Sequence, residues 1–147
     1  MADRMSFGDW QGNISICFIS HKQQRYDTAG DWQLEPDGTL HIDISQTGDD
    51  KMNFCLMMHE IVESLTYMFK RGFDPNAAKM VDEFDLDMLK TAPDDEPGGD
   101  PEAPYYAEHM LASEVENAVI AQVQLDVNKY ARVVGALGED TPDEPTI

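Results

Sequence analysis

The chain has 147 residues, with 29 acidic and 10 basic side chains and a formal net charge of −19. That length fits one domain with a sizeable core, and no apolar run approaches the roughly 18 residues of a membrane-spanning helix. The charge argues against direct contact with nucleic acid, whose phosphates need clustered Lys and Arg, and against anionic membranes; it leaves open solubility alone, a basic partner, or a site where carboxylates are balanced by cations.

Residues 1–12 carry acids and Trp10 where a secretory signal would carry a basic stretch followed by an apolar one, so they read as a loose arm. A single domain is expected over 13–137. Ile14-Ser15-Ile16-Cys17-Phe18-Ile19 is a short β-rich run. Trp32-Gln33-Leu34 is a second candidate strand, and Thr39 to Ile44 is a clearer one because its apolar residues alternate. Between the last two, Glu35-Pro36-Asp37-Gly38 is a turn: Pro fixes φ, and Gly accepts a positive φ. A small antiparallel sheet is the expectation.

Helical signals follow. The segment from about Asp50 to Lys70 has Asp49 or Asp50 as a cap and Arg71-Gly72 as its stop. Phe54 to Met58 is continuously apolar, which predicts deep packing. Asp74-Pro75 opens a second helix, with a capping acid and Pro at the first position. It runs to about Lys90, with Ala77, Val81, Phe84 and Met88 on one stripe. Four prolines, two glycines and five acids make residues 91–104 a loop. A third helix begins near Ala103-Pro104 and passes Gln122, reaching as far as Lys129. Ala131 to Leu137 is helix or short strand. Gly138 to Ile147 is an acidic tail with the composition of disorder. The order of elements defines an α+β fold: a small N-terminal sheet packed on about three helices. Cys17 and Cys55 lie in separate apolar segments and read as two buried thiols of a reducing compartment, which places the chain in the cytoplasm.

The chemistry concentrates in His59-Glu60-Ile61-Val62-Glu63. On a helix His59 and Glu63 lie about 40° apart and one turn apart, so both point the same way. Imidazole and carboxylate at that spacing suit Zn²⁺, Mn²⁺ or Fe²⁺. Glu60 lies about 100° round from His59, placed to serve as a general base beside an ion. One helix supplies only two ligands, and the third helix offers His109 and Glu116, on one face but about 10 Å apart along the axis. Glu116 therefore suits a long reach, an orienting role or a second ion. Asp82 and Asp85 form an i, i+3 pair on the second helix. A solvated polar helix edge accounts for the same residues without a metal. Asp94-Asp95-Glu96 lacks the EF-hand spacing for Ca²⁺, and His21 and His41 have no evident partner.

The order His59-Glu60-x-x-Glu63, Val81-Asp82-x-Phe84-Asp85, Glu96-Pro97-Gly98 to Pro101-x-Ala103-Pro104-Tyr105, and Glu108-His109-x-x-Ala112-x-x-x-Glu116 resembles a set of small phage and prophage proteins without an established activity. The match covers about the middle half of the chain. It departs at Gly99, where the relatives carry Asp. The resemblance implies that His59, Glu60, Glu63, Asp82, Asp85, His109 and Glu116 belong together, in a protein of the host cell cytoplasm. In architecture alone the chain is also similar to minimal zincin-like metallopeptidases, and it departs from them at Glu63, which stands where their zinc-binding helix carries a second histidine. The expected centre has His59, Glu63 and His109 as ligands of one divalent ion, most simply Zn²⁺. Asp85 and Glu116 are further or outer ligands, and Glu60 is the base of a hydrolase. The rival expectation is an acidic inhibitor or nucleic-acid mimic that binds a basic host protein; a third is a purely structural metal.

Overall fold

The computed structural model describes residues 12–139, so the expected arm up to residue 11 and the tail from residue 140 lie outside the described residues. Strands β1 (Ile14–Ile19), β2 (Gly30–Leu34) and β3 (Leu40–Ser45) form one sheet in the order β1-β3-β2. The expected turn closes the β2–β3 hairpin. Gly38 has a φ of 90°, and the Asp37 carboxylate accepts the Thr39 N–H at 2.9 Å. This pair is antiparallel, with Trp32 opposite Ile42.

The third strand departs from expectation. β1 pairs parallel to β3, with Ile16 beside Ile42, so the sheet is mixed. Hydropathy reveals strands but not their neighbours. Residues 20–29 carry the chain from the end of β1 across to the far side of β3, and β2 then enters from there. A crossover of this kind allows a parallel neighbour where a tight turn would not.

Leu40, Ile42 and Ile44 point inward from β3 and are fully buried, beside the buried Trp32 from β2. They meet helix α1 (Asp50–Lys70). Asp49 caps α1 by accepting the Met52 N–H at 3.0 Å, and the chain leaves it through Gly72 and Phe73 at φ values of 65° and 56°. The buried face of α1 is apolar near its ends (Met52, Cys55 and Leu56; Tyr67 and Met68) and polar at its centre (His59, Glu60, Glu63 and Ser64). Phe54, in the run expected to be deeply packed, is exposed.

Helix α2 (Pro75–Thr91) starts as expected, with Asp74 as cap and Pro75 in the first turn. The Tyr67 hydroxyl ties α1 to it, donating to the Ala77 carbonyl at 2.7 Å. Helix α3 (Tyr106–Gln122) packs along α1. It does not continue to Lys129. Gln124 adopts a φ of 58°, and Asp126 caps a separate helix α4 (Val127–Gly135) by accepting the Asn128 and Lys129 N–H groups at 2.9 and 3.1 Å. Among the described residues no helix is long and apolar enough to cross a membrane.

Ile42 lies at the centre of this core with no exposed surface. Ile42→Ala is therefore expected to destabilise the chain by about 2–5 kcal/mol, read as a lower midpoint of urea unfolding with an unchanged slope.

Candidate metal centre

The polar centre of α1 faces α3. His59, Glu63 and His109 are only 8%, 6% and 6% exposed, so each polar atom there needs a partner. Three of those atoms converge. His59 Nε2 lies 3.1 Å from Glu63 Oε2, His109 Nδ1 lies 2.8 Å from the same oxygen, and the two ring nitrogens are 3.2 Å apart. Ligands about 2.1 Å from a tetrahedral ion stand roughly 3.4 Å apart, so the triangle is slightly tighter than, but close to, the size that one ion requires.

The outer atoms of the same side chains are all held. His59 Nδ1–H donates to Glu116 Oε1 at 2.7 Å, and the Tyr130 hydroxyl donates to Glu116 Oε2 at 2.5 Å. His109 Nε2 faces Glu96 Oε1 at 3.3 Å. Trp32 Nε1–H donates to Glu63 Oε1 at 3.2 Å. A carboxylate on the far nitrogen fixes the tautomer of a metal-binding histidine and aims its free lone pair. Here both histidines have such a carboxylate, and the inner nitrogens of both rings are aimed at the same place as Glu63 Oε2.

Two glycines permit the close approach. A Cβ at Gly98 would lie 2.5 Å from His109 Nδ1, and one at Gly30 would lie 2.5 Å from the Glu60 carboxyl carbon. The backbone of the acidic loop thus packs directly on one imidazole, and the start of β2 on the candidate base. Glu60, His59, Glu63 and His109 share the wall of a pocket of about 400 Å³, closed on one side by Asp94 to Gly98.

The groups polarise one another. Burial opposes charge on His59, but the Glu116 and Glu63 carboxylates outweigh it and hold the ring at a pKa of about 11. His109 follows the same balance, burial against Glu63 and Glu96, and stands at about 9. Burial would raise Glu63, yet hydrogen bonds from both rings pull it down to about 2. Glu60 goes the other way: burial first, then the charge of Glu63, push its carboxyl well above the ordinary value. Its Oε2 lies 3.9 Å from His59 Nε2.

The other expected residues fall into two groups. Glu116 belongs to the centre as a partner of His59, which its distance along α3 allows. Asp85 lines the same pocket but not the triangle; its oxygens accept the Tyr105 and Tyr26 hydroxyls at 2.6 and 3.0 Å. Burial raises its carboxyl to about 6. Asp82 pairs with Arg25 at 2.9 Å, away from the centre. Trp32, Glu96, Gly98 and Tyr130 were not among the site residues expected from the sequence. Only Glu96-Pro97-Gly98 carried a signal, as one of the ordered motifs.

His21 bridges Ser45 Oγ at 2.8 Å and Asp27 at 2.7 Å, the composition of a hydrolytic triad. It lacks a nucleophile. Ser45 is fully buried and donates its hydroxyl to the Thr28 carbonyl at 3.1 Å, which leaves His21 Nδ1 to donate and not accept. Compared with protein families, curated proteins and solved structures, the chain matches none.

A pH dependence follows from the raised histidine. The stabilisation from His59 is complete below its ordinary value of 6.5 and is lost as pH rises toward 11. Glu63, held down, contributes above its ordinary 4.5 and loses this as pH falls toward 2. Chelator-treated protein is thus expected to melt highest between about pH 4.5 and 6.5 and several degrees lower by pH 10. His59→Gln should flatten the alkaline slope of thermal melts followed by circular dichroism.

Proposed function

We propose that this protein binds one divalent transition-metal ion through His59 Nε2, Glu63 Oε2 and His109 Nδ1, and that the site serves hydrolysis with Glu60 as general base. One observation carries the reading: three buried donor atoms converge while the outer atom of each side chain faces a polar partner. Two imidazoles and one carboxylate with an open fourth position is a donor set of catalytic zinc sites; Mn²⁺ and Fe²⁺ suit the same atoms.

When bound, such an ion lowers the pKa of a coordinated water toward neutrality and polarises a substrate oxygen. The remaining work belongs to the chain. Glu116 and Glu96 keep the two rings oriented and enforce their tautomers. The Trp32 indole N–H holds the outer oxygen of Glu63. Glu60 faces the pocket with a carboxyl raised above its ordinary value, so its proton affinity is closer to that of a working base at neutral pH. The pocket admits a substrate beside these groups, and Asp94 to Gly98 form its acidic rim. The net charge by itself suits an acidic inhibitor of a basic host protein equally well. That role gives no reason to bury two histidines among three carboxylates, which is why the metal reading is preferred.

Untagged protein, dialysed and analysed by elemental mass spectrometry, is expected to retain about one equivalent of metal. His59→Ala and His109→Ala should each fall below a tenth of that; substoichiometric metal unchanged by either substitution would overturn the site. Glu60→Gln should keep the metal and lose at least about a hundredfold in rate on any ester, peptide or phosphoester substrate that the parent turns over. A variant that keeps its rate would remove Glu60 from the chemistry.

A further inference from the structure

The outer face of the sheet carries a second group of metal-ligating side chains. β3 alternates, so burial of Leu40, Ile42 and Ile44 turns His41 and Asp43 outward on the opposite face. The parallel register places Cys17 directly beside Asp43. One donor atom each from Cys17, His41 and Asp43 lie within 4.8 Å of one another. His41 Nε2 is 2.8 Å from Asp43 Oδ1, and its other nitrogen is 3.9 Å from Glu35 Oε1. Cys17, expected to be buried, is exposed on this outer face of β1, an edge strand among the described residues; Cys55, the other cysteine, is buried in α1, and both are free thiols.

We propose that Cys17, His41 and Asp43 form a second, independent cation site that takes a thiophilic divalent ion such as Zn²⁺, Co²⁺ or Cd²⁺ in exchange with solvent. The donor chemistry selects the ion. A thiolate and an imidazole favour borderline-soft metals, and a sulfur ligand disfavours Ca²⁺ and Mg²⁺. Three protein ligands leave at least one position open. Binding displaces the thiol proton from Cys17 Sγ to solvent as the sulfur–metal bond forms, so no oxidant or reductant is involved. The site is looser than the buried centre. Its ligands are half-buried or exposed, and the carboxylate beyond His41 is too distant for a hydrogen bond, whereas both rings of the buried centre are backed by carboxylates. The competing account is a plain surface pair of His41 with Asp43 and an uninvolved thiol.

Cobalt separates these accounts, because sulfur-to-cobalt charge-transfer absorption in the near ultraviolet requires a thiolate ligand and the buried centre contains none. Chelator-treated protein kept under reducing conditions is titrated with Co²⁺. The charge-transfer band should grow with the second equivalent, after the buried centre fills. Cys17→Ser should abolish the band and reduce the stoichiometry by one; Cys55→Ser should leave both intact. His41→Ala should weaken the band-forming step tenfold or more. In His59→Ala the band should appear with the first equivalent, so failure of the buried centre is read separately from failure of this one. Absence of the band in the parent protein, its survival in Cys17→Ser, or an unchanged affinity in His41→Ala would overturn the site. Exposure of Cys17 makes Ser tolerable there, and matching far-ultraviolet circular dichroism verifies the fold of each variant.

Discussion

Ionisable groups cannot be taken out of water alone. An unpaired charge between two packed helices is expensive enough that its pKa shifts or the structure opens. The contact of α1 with α3 is organised by this constraint. His59, Glu63, His109 and Glu116 meet there, where a helix pair would ordinarily place leucines, and each group is tolerable only because another stands within hydrogen-bond reach. Orientation then follows for the surrounding elements. β2 must present Trp32 to Glu63, the acidic loop must bring Glu96 to His109, and α4 must deliver Tyr130 to Glu116.

The same constraint accounts for the composition of α1. A helix with a polar centre contributes less apolar burial than its length allows. Compensation comes from its two ends, where Met52, Cys55, Leu56, Tyr67 and Met68 pack into the common core, and from the inward face of β3. The Arg71 guanidinium lies 3.7 Å from the centre of the Tyr67 ring and reaches Glu108 at 3.1 Å, so a second buried carboxylate of α3 is neutralised at the end of α1. Ionic contacts thus hold the helix pair at its middle and again at the C-terminal end of α1, where they sit beside apolar packing.

Much of this was legible in the sequence, and for identifiable reasons. Helix starts carry local chemistry, so Asp74-Pro75 marked the second correctly and the pair Asp49 or Asp50 marked the first, with Asp49 the actual cap. The i, i+4 spacing of His59 and Glu63 is a property of one helix, and the ordered motifs paired it with His109. What stayed hidden depends on contacts between distant segments. The parallel pairing of β1 has no local signature. Gln124 breaks the last helical segment from a left-handed conformation that its residue type does not advertise. Trp32 and Tyr130 look like core aromatics, and only the fold reveals that their polar atoms are aimed at carboxylates. Asp85 was grouped with the centre by its motif, yet two tyrosine hydroxyls occupy it. Cys17 looked buried because its neighbours are apolar, whereas the fold turns it outward on β1, an edge strand among the described residues.

The hydrogen bond from Tyr130 to Glu116 gives α4 a role larger than its nine residues suggest. It is the terminal member of a relay that runs from α4 through α3 to the ring of His59. If the lone pair of that ring is used to hold an ion, the docking of α4 and the occupancy of the centre become thermodynamically linked, and linkage is reciprocal. An occupied centre would then restrain the C-terminal helix, and a partner or cleavage that lifts this helix away would loosen the ion from a distance, without touching any atom that binds it.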